Sequence, residues 1–99
     1  MVQREITIDA PPEEVWEALA TDEGRERWLE PDPDRQLLVE TAEEPGRIVW
    51  WWWHSDEPAR RVELRVVAVP AGSRVVVVES APAQFPLVAL ATSLSLCMA

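Results

Sequence analysis

The chain contains no lysine and no tyrosine, and its 99 residues include one cysteine (Cys97), one histidine (His54), one phenylalanine (Phe85) and three glycines. Each shortage removes a class of chemistry. A lone cysteine forms no disulfide within the chain. One imidazole and one thiol cannot furnish the usual nitrogen and sulfur ligands, and the carboxylates are scattered through loops, so no metal and no cofactor is expected. Gly24, Gly46 and Gly72 stand too far apart to form a phosphate-cradling loop, and no nucleophile elbow or Cys/His pair is legible. Positive charge is also scarce: nine basic residues face eighteen acidic ones, a net charge of −9. That field repels phosphates and anionic headgroups, which argues against nucleic-acid and membrane partners. The opening residues Met1-Val2-Gln3-Arg4-Glu5 lack the apolar core of a signal peptide, so a cytoplasmic location is the expectation.

What is present describes a folded chain. An apolar fraction of 47% with 27% charged residues belongs to globular proteins rather than disordered ones. The length fits one domain over residues 1–99. Six tryptophans, four of them consecutive at Trp50 to Trp53, require an explanation.

Val2 to Asp9 alternates, with Ile6 and Ile8 on one face and Glu5 and Thr7 on the other, the pattern of a half-buried strand. Pro11-Pro12 opens a helix, because proline suits a first helical position whose N–H has no partner anyway. Glu13 and Glu14 follow where the helix dipole favours acids, and Val15, Trp16, Leu19 and Ala20 form its apolar stripe. Thr21 or Asp22 caps a second short helix expected to carry Trp28 and Leu29; Gly24 weakens its first turn. Glu30-Pro31-Asp32-Pro33-Asp34 is a stiff acidic loop. Four strands come next, at Gln36 to Ala42, Arg47 to His54, Arg60 to Val69 and Ser73 to Ser80, the last closed by Pro82. Connections this short suit an antiparallel meander. From Gln84 to Ala99 there is no charge, and Leu87, Leu90, Leu94 and Met98 recur at helical spacing behind Pro86. Pro82, Gln84, Pro86, Thr92, Ser93 and Ser95 make this a poor membrane span. Cys97 there is expected to be a small buried hydrophobe.

The run Arg4 to Leu19, with Ala10-Pro11-Pro12-Glu13-Glu14-Val15-Trp16 at its centre, resembles the first strand and helix of the SRPBCC (START-like) superfamily. Trp28-Leu29, Arg47-Ile48-Val49-Trp50 with Trp52, Arg61 to Leu64, and Gly72 to Val77 are similar to later landmarks of its branch named after the activator of the heat-shock-protein-90 ATPase. The resemblance implies an α+β helix-grip fold: about five antiparallel strands, two short helices after the first, and a C-terminal helix packed on the sheet. It also implies binding of a hydrophobic small molecule or lipid between sheet and C-terminal helix. The branch name implies, alternatively, a protein-interaction or chaperone-activator module, and a minority of the superfamily implies a small cyclase or dehydratase. The resemblance is to a shortened member, since the Pro-Asp loop occupies the interval where two more strands usually lie in that family, which implies less space for a cavity.

Strand geometry assigns faces. With Arg47 outward, Val49, Trp51 and Trp53 face out, and Ile48, Trp50, Trp52 and His54 face in. Val62, Leu64 and Val66 face in on the next strand, as do Val75, Val77 and Glu79 on the last. Ligand lining is therefore expected from Trp50, Trp52, Val62, Leu64, Val77 and Leu90, with His54 and Glu79 as polar contacts. For Trp50 and Trp52, plain core filling remains open beside the lining role. His54 and Glu79 are the weak catalytic candidates as an acid–base pair, with a solvated rim as the alternative, and Arg4 shares the parity that lets it pair with Glu79. Trp51 and Trp53 form an outer patch expected to serve as a homodimer or protein-partner interface.

Overall fold

Alternation of Ile6 and Ile8 with polar neighbours produces strand β1 (Val2–Ile8). Helix α1 (Pro12–Ala20) carries proline in its first turn beside Glu13 and Glu14, and buries Val15, Trp16, Ala18 and Leu19. Thr21 ends α1 and caps α2 (Asp22–Glu26), its hydroxyl accepting the Gly24 N–H at 2.9 Å. Gly24 is what this corner requires, because a Cβ there would press on the Glu17 carbonyl and lie 2.8 Å from the Ala18 Cα. α2 stops at Glu26, so Trp28 and Leu29 sit in the turn beyond it, not on the helix as expected. The computed structural model describes residues 1–44, 46–81 and 84–98, the last four as backbone alone. The expectations for Pro82 and for the Cys97 side chain lie outside the described residues.

The meander follows as β2 (Arg35–Glu43), β3 (Arg47–His54), β4 (Arg60–Val69) and β5 (Gly72–Glu79), and the chain ends in α3 (Leu87–Met98). All five strands form one sheet in the order β1-β5-β4-β3-β2, every pair antiparallel. The architecture is the expected α+β helix grip, with α3 packed against β1 and α1. Among the described residues no helix is long and apolar enough to cross a membrane.

The inward parity read from the sequence holds along β3, β4 and β5. Ile48 pairs with Leu64 and Leu64 with Val77, while Trp50 pairs with Val62 and Val62 with Glu79. These residues form the row of side chains under the helices. Ile48, Trp50, Val62, Leu64, Val77 and Leu90 are at most 1% exposed. Val49 departs from expectation, being fully buried although it faces away from the helices. It lies between Arg47 and Trp51 on its own strand and opposite Glu63, and the Arg47–Glu63–Arg65 ion pairs bridge this part of the outer face, so long side chains shield it.

A β-bulge interrupts β2 between Val39 and Thr41. The extra residue, Glu40, accepts the Trp51 indole N–H at 2.9 Å and a hydrogen bond from Arg61 at 3.3 Å. These two partners hold the Glu40 carboxyl below its ordinary pKa, the indole bond contributing most.

Candidate functional site

One end of the sheet gathers four aromatic rings. Trp50 and Trp52, two residues apart on one strand face, meet edge to face with centroids 5.5 Å apart. Phe85, in the segment leading into α3, lies 6.1 Å from Trp50, 5.8 Å from Trp52 and 5.3 Å from Trp28. Trp28 is fixed by its indole N–H, which donates to the Ala18 carbonyl at 2.8 Å. Arg25, buried and donating to the Leu19 carbonyl and to Asp22, places its guanidinium 5.8 Å from the Trp50 ring, a cation–π distance. The sequence carries no signal for the burial of Arg25. Phe85 was legible only as the single phenylalanine in an uncharged stretch.

Beside this cluster a cavity of about 290 Å³ opens between the end of β3, the turn after α2 and the start of α3. Trp28, Leu29, Trp52, Pro86 and Ala89 make its apolar walls, and Arg35, His54, Arg60, Glu30 and Glu57 its polar part. A second concavity of about 520 Å³ lies across the Leu29–Glu30 segment, more open to solvent and lined mainly by charged groups. The first is the better candidate, since ligand sites combine apolar walls with a few convergent polar groups.

The acidic loop runs beside the cavity and contributes Glu30 to its lining. His54 and Asp32 share a hydrogen bond of 2.6 Å, Ser55 donates its hydroxyl to Asp34 at 2.7 Å, and Arg35 donates to the Glu30 carbonyl at 2.6 Å. The bond to Asp32 raises the His54 pKa, and the same bond lowers that of Asp32.

The expected site residues thus divide. Trp52 and His54 line the cavity, as does Trp53. Trp50, Val62, Leu64, Val77 and Leu90 are not on its walls; they are packed core, because α1, α3 and the aromatic cluster leave no space over the middle of the sheet. His54 and Glu79 do not meet. Glu79 pairs with Val62, which pairs with Trp50, four residues before His54, so the two lie about 16 Å apart at ordinary strand spacing and rise. Glu79 instead accepts the backbone N–H groups of Gln84 and Phe85 and a 3.4 Å contact from Arg4, which also donates to the Phe85 carbonyl at 2.8 Å. It is a clamp that fastens the approach to α3, not a rim carboxylate. The outer patch is narrower than expected. Trp51 and Trp53 are half-buried, Trp51 being engaged by Glu40, and the exposed apolar residue there is Leu38, opposite Trp51. Among the described residues no cluster of three potential metal ligands occurs.

No family model matches the sequence, and no curated protein matches it. Solved structures share its shape. The crystal structure of protein MLL2253 from Mesorhizobium loti is similar at 19% identity with a TM-score of 0.75, over 98% of this chain and 95% of that one. CalU16 from Micromonospora echinospora is similar at 19% identity with a TM-score of 0.63, over 97% and 68%. The Aha1 dimer from Colwellia psychrerythraea, solved in solution, is similar at 16% identity with a TM-score of 0.66, over 99% and 90%. At these identities the likeness is one of fold.

Proposed function

We propose that this chain is a non-catalytic ligand-binding domain of SRPBCC (START-like) type, holding a small apolar or amphipathic molecule in the cavity beside Trp52. The observation that carries the reading is the cavity itself, lined by indole and aliphatic groups together with a few charged side chains. Function is argued from this site, because the shared fold alone hosts many activities. A volume of about 290 Å³ sits at the lower edge of the roughly 300–1,000 Å³ usual for ligand sites, which favours a compact molecule over a two-chain lipid. The separation of His54 from Glu79, two strands and four residues along the sheet, supports a binding role over acid–base chemistry between them.

The test is binding of a neutral apolar probe, 2-naphthylmethanol, followed by tryptophan emission and by thermal unfolding. Saturable quenching is expected, with a rise in Tm corresponding to about 2.7 kcal/mol at a hundredfold excess over Kd. Trp52→Ala, which removes one wall, is expected to lose both effects. Unchanged emission and Tm with this probe and with its charged analogues, 2-naphthoate and 2-naphthyl phosphate, up to their solubility limits would overturn the reading.

A further inference from the structure

Charge around the cavity is arranged unevenly. Arg35 and Arg60 are half-buried, whereas the two acids on the same cavity, Glu30 and Glu57, are exposed. Arg60 pairs directly with Trp52 across β3 and β4, and Arg35 pairs with His54 across β2 and β3, so the two arginines stand on either side of the Trp52 position. The described hydrogen bond of Arg35 goes to a neutral acceptor, the Glu30 carbonyl, and among the described residues no carboxylate lies within ion-pair distance of it.

This arrangement discriminates among ligands. A molecule lying on Trp28 and Trp52 strips water from the neighbouring guanidinium. A neutral ligand leaves that charge offset only by the longer-range attraction of Asp32, which is costly. A carboxylate compensates it, because the planar guanidinium fork matches two carboxylate oxygens. A dianion such as a phosphate monoester also meets Glu30 and Glu57 at the cavity and the net charge of −9, so a single negative charge fits better. Walls made of two indoles favour a flat ring, which stacks offset or edge-on with them.

We infer that the ligand class is a compact aromatic monocarboxylate, its ring against Trp28 and Trp52 and its carboxylate on Arg35, with Arg60 reinforcing the positive potential. The inference rests on the ligand-binding reading of the cavity and specifies its chemistry.

Isothermal titration calorimetry at neutral pH with 2-naphthoate, 2-naphthylmethanol and 2-naphthyl phosphate tests it, because the three probes share one ring and differ in charge. 2-Naphthoate is expected to bind roughly tenfold or more tightly than the alcohol, as charge-assisted bonds are about twice as strong as neutral ones, and more tightly than the phosphate. Arg35→Gln is expected to abolish the preference for naphthoate over the alcohol, and Arg35→Lys to keep part of it. Equal affinities for naphthoate and alcohol would overturn the carboxylate assignment while leaving the ligand-binding reading standing. A preference that survives Arg35→Gln would overturn the role of Arg35, and tighter binding of the phosphate would overturn the single-charge assignment. Absence of binding by all three probes would overturn the underlying reading and the inference together.

Discussion

Adjacent tryptophans in one strand perform different tasks because side chains alternate across a sheet. Trp50 points into the space under the helices and is fully buried, while its neighbour Trp51 points the other way and is held by Glu40. Trp52 returns to the first side but lies nearer the strand end, where the covering elements part and the cavity opens. Trp50 also carries a cost, since its buried indole N–H has no hydrogen-bond partner among the described residues. Cutting a buried aromatic to alanine removes roughly 3–5 kcal/mol, whereas removing an unpaired buried donor returns about 1–3 kcal/mol. Urea unfolding is therefore expected to show a loss of roughly 3–5 kcal/mol for Trp50→Ala and less than half of that for Trp50→Phe. A loss for Trp50→Phe as large as that for Trp50→Ala would contradict this expectation.

At the scale of elements, the loop between α2 and β2 is fastened by the His54–Asp32 bond, with Asp34–Ser55 and Arg35–Glu30 beside it. The pKa of His54 is raised by this bond and that of Asp32 lowered. The histidine contribution to stability is thus complete below its ordinary pKa of about 6.5 and disappears as pH rises through the raised value. The aspartate contribution is present above its ordinary value of about 3.9 and disappears as pH falls through the lowered one. The Tm gap between the wild type and Asp32→Asn is accordingly expected to be wider near pH 5.5 than near pH 8.5, values chosen on either side of about 6.5. A gap independent of pH would contradict the clasp. Inward faces were legible because Val62-Glu63-Leu64-Arg65-Val66 alternates and because Arg47 marks the outward side of β3, whose later residues are all apolar up to His54. The bulge at Glu40 was not, since nothing in Val39-Glu40-Thr41 distinguishes an extra residue from a paired one until Trp51 and Arg61 are placed opposite it. The end of α2 was missed for a similar reason, as Trp28 is buried by its bond to Ala18 and its contact with Phe85 rather than by helical periodicity.

For the whole molecule, the sheet and α3 behave as the helix-grip pattern implies, yet the interior beneath the middle of the sheet is filled. Trp50, Phe85 and Leu90 close the space in which lining was expected, and the cavity is displaced to the open end of the grip. That displacement was not legible, because its walls come from segments far apart in the chain, Trp28, Trp52 and Pro86, which only the folded arrangement brings together. The central claim is that this displaced cavity receives a ligand. It is tested most directly by the indole N–H signals of the six tryptophans in a ¹H–¹⁵N NMR titration with 2-naphthylmethanol. The signals of Trp28 and Trp52 are predicted to move saturably with one common Kd, while Trp16 on α1 and Trp51 on the outer face stay in place. Movement of Trp51 with Trp28 and Trp52 unmoved would contradict the account.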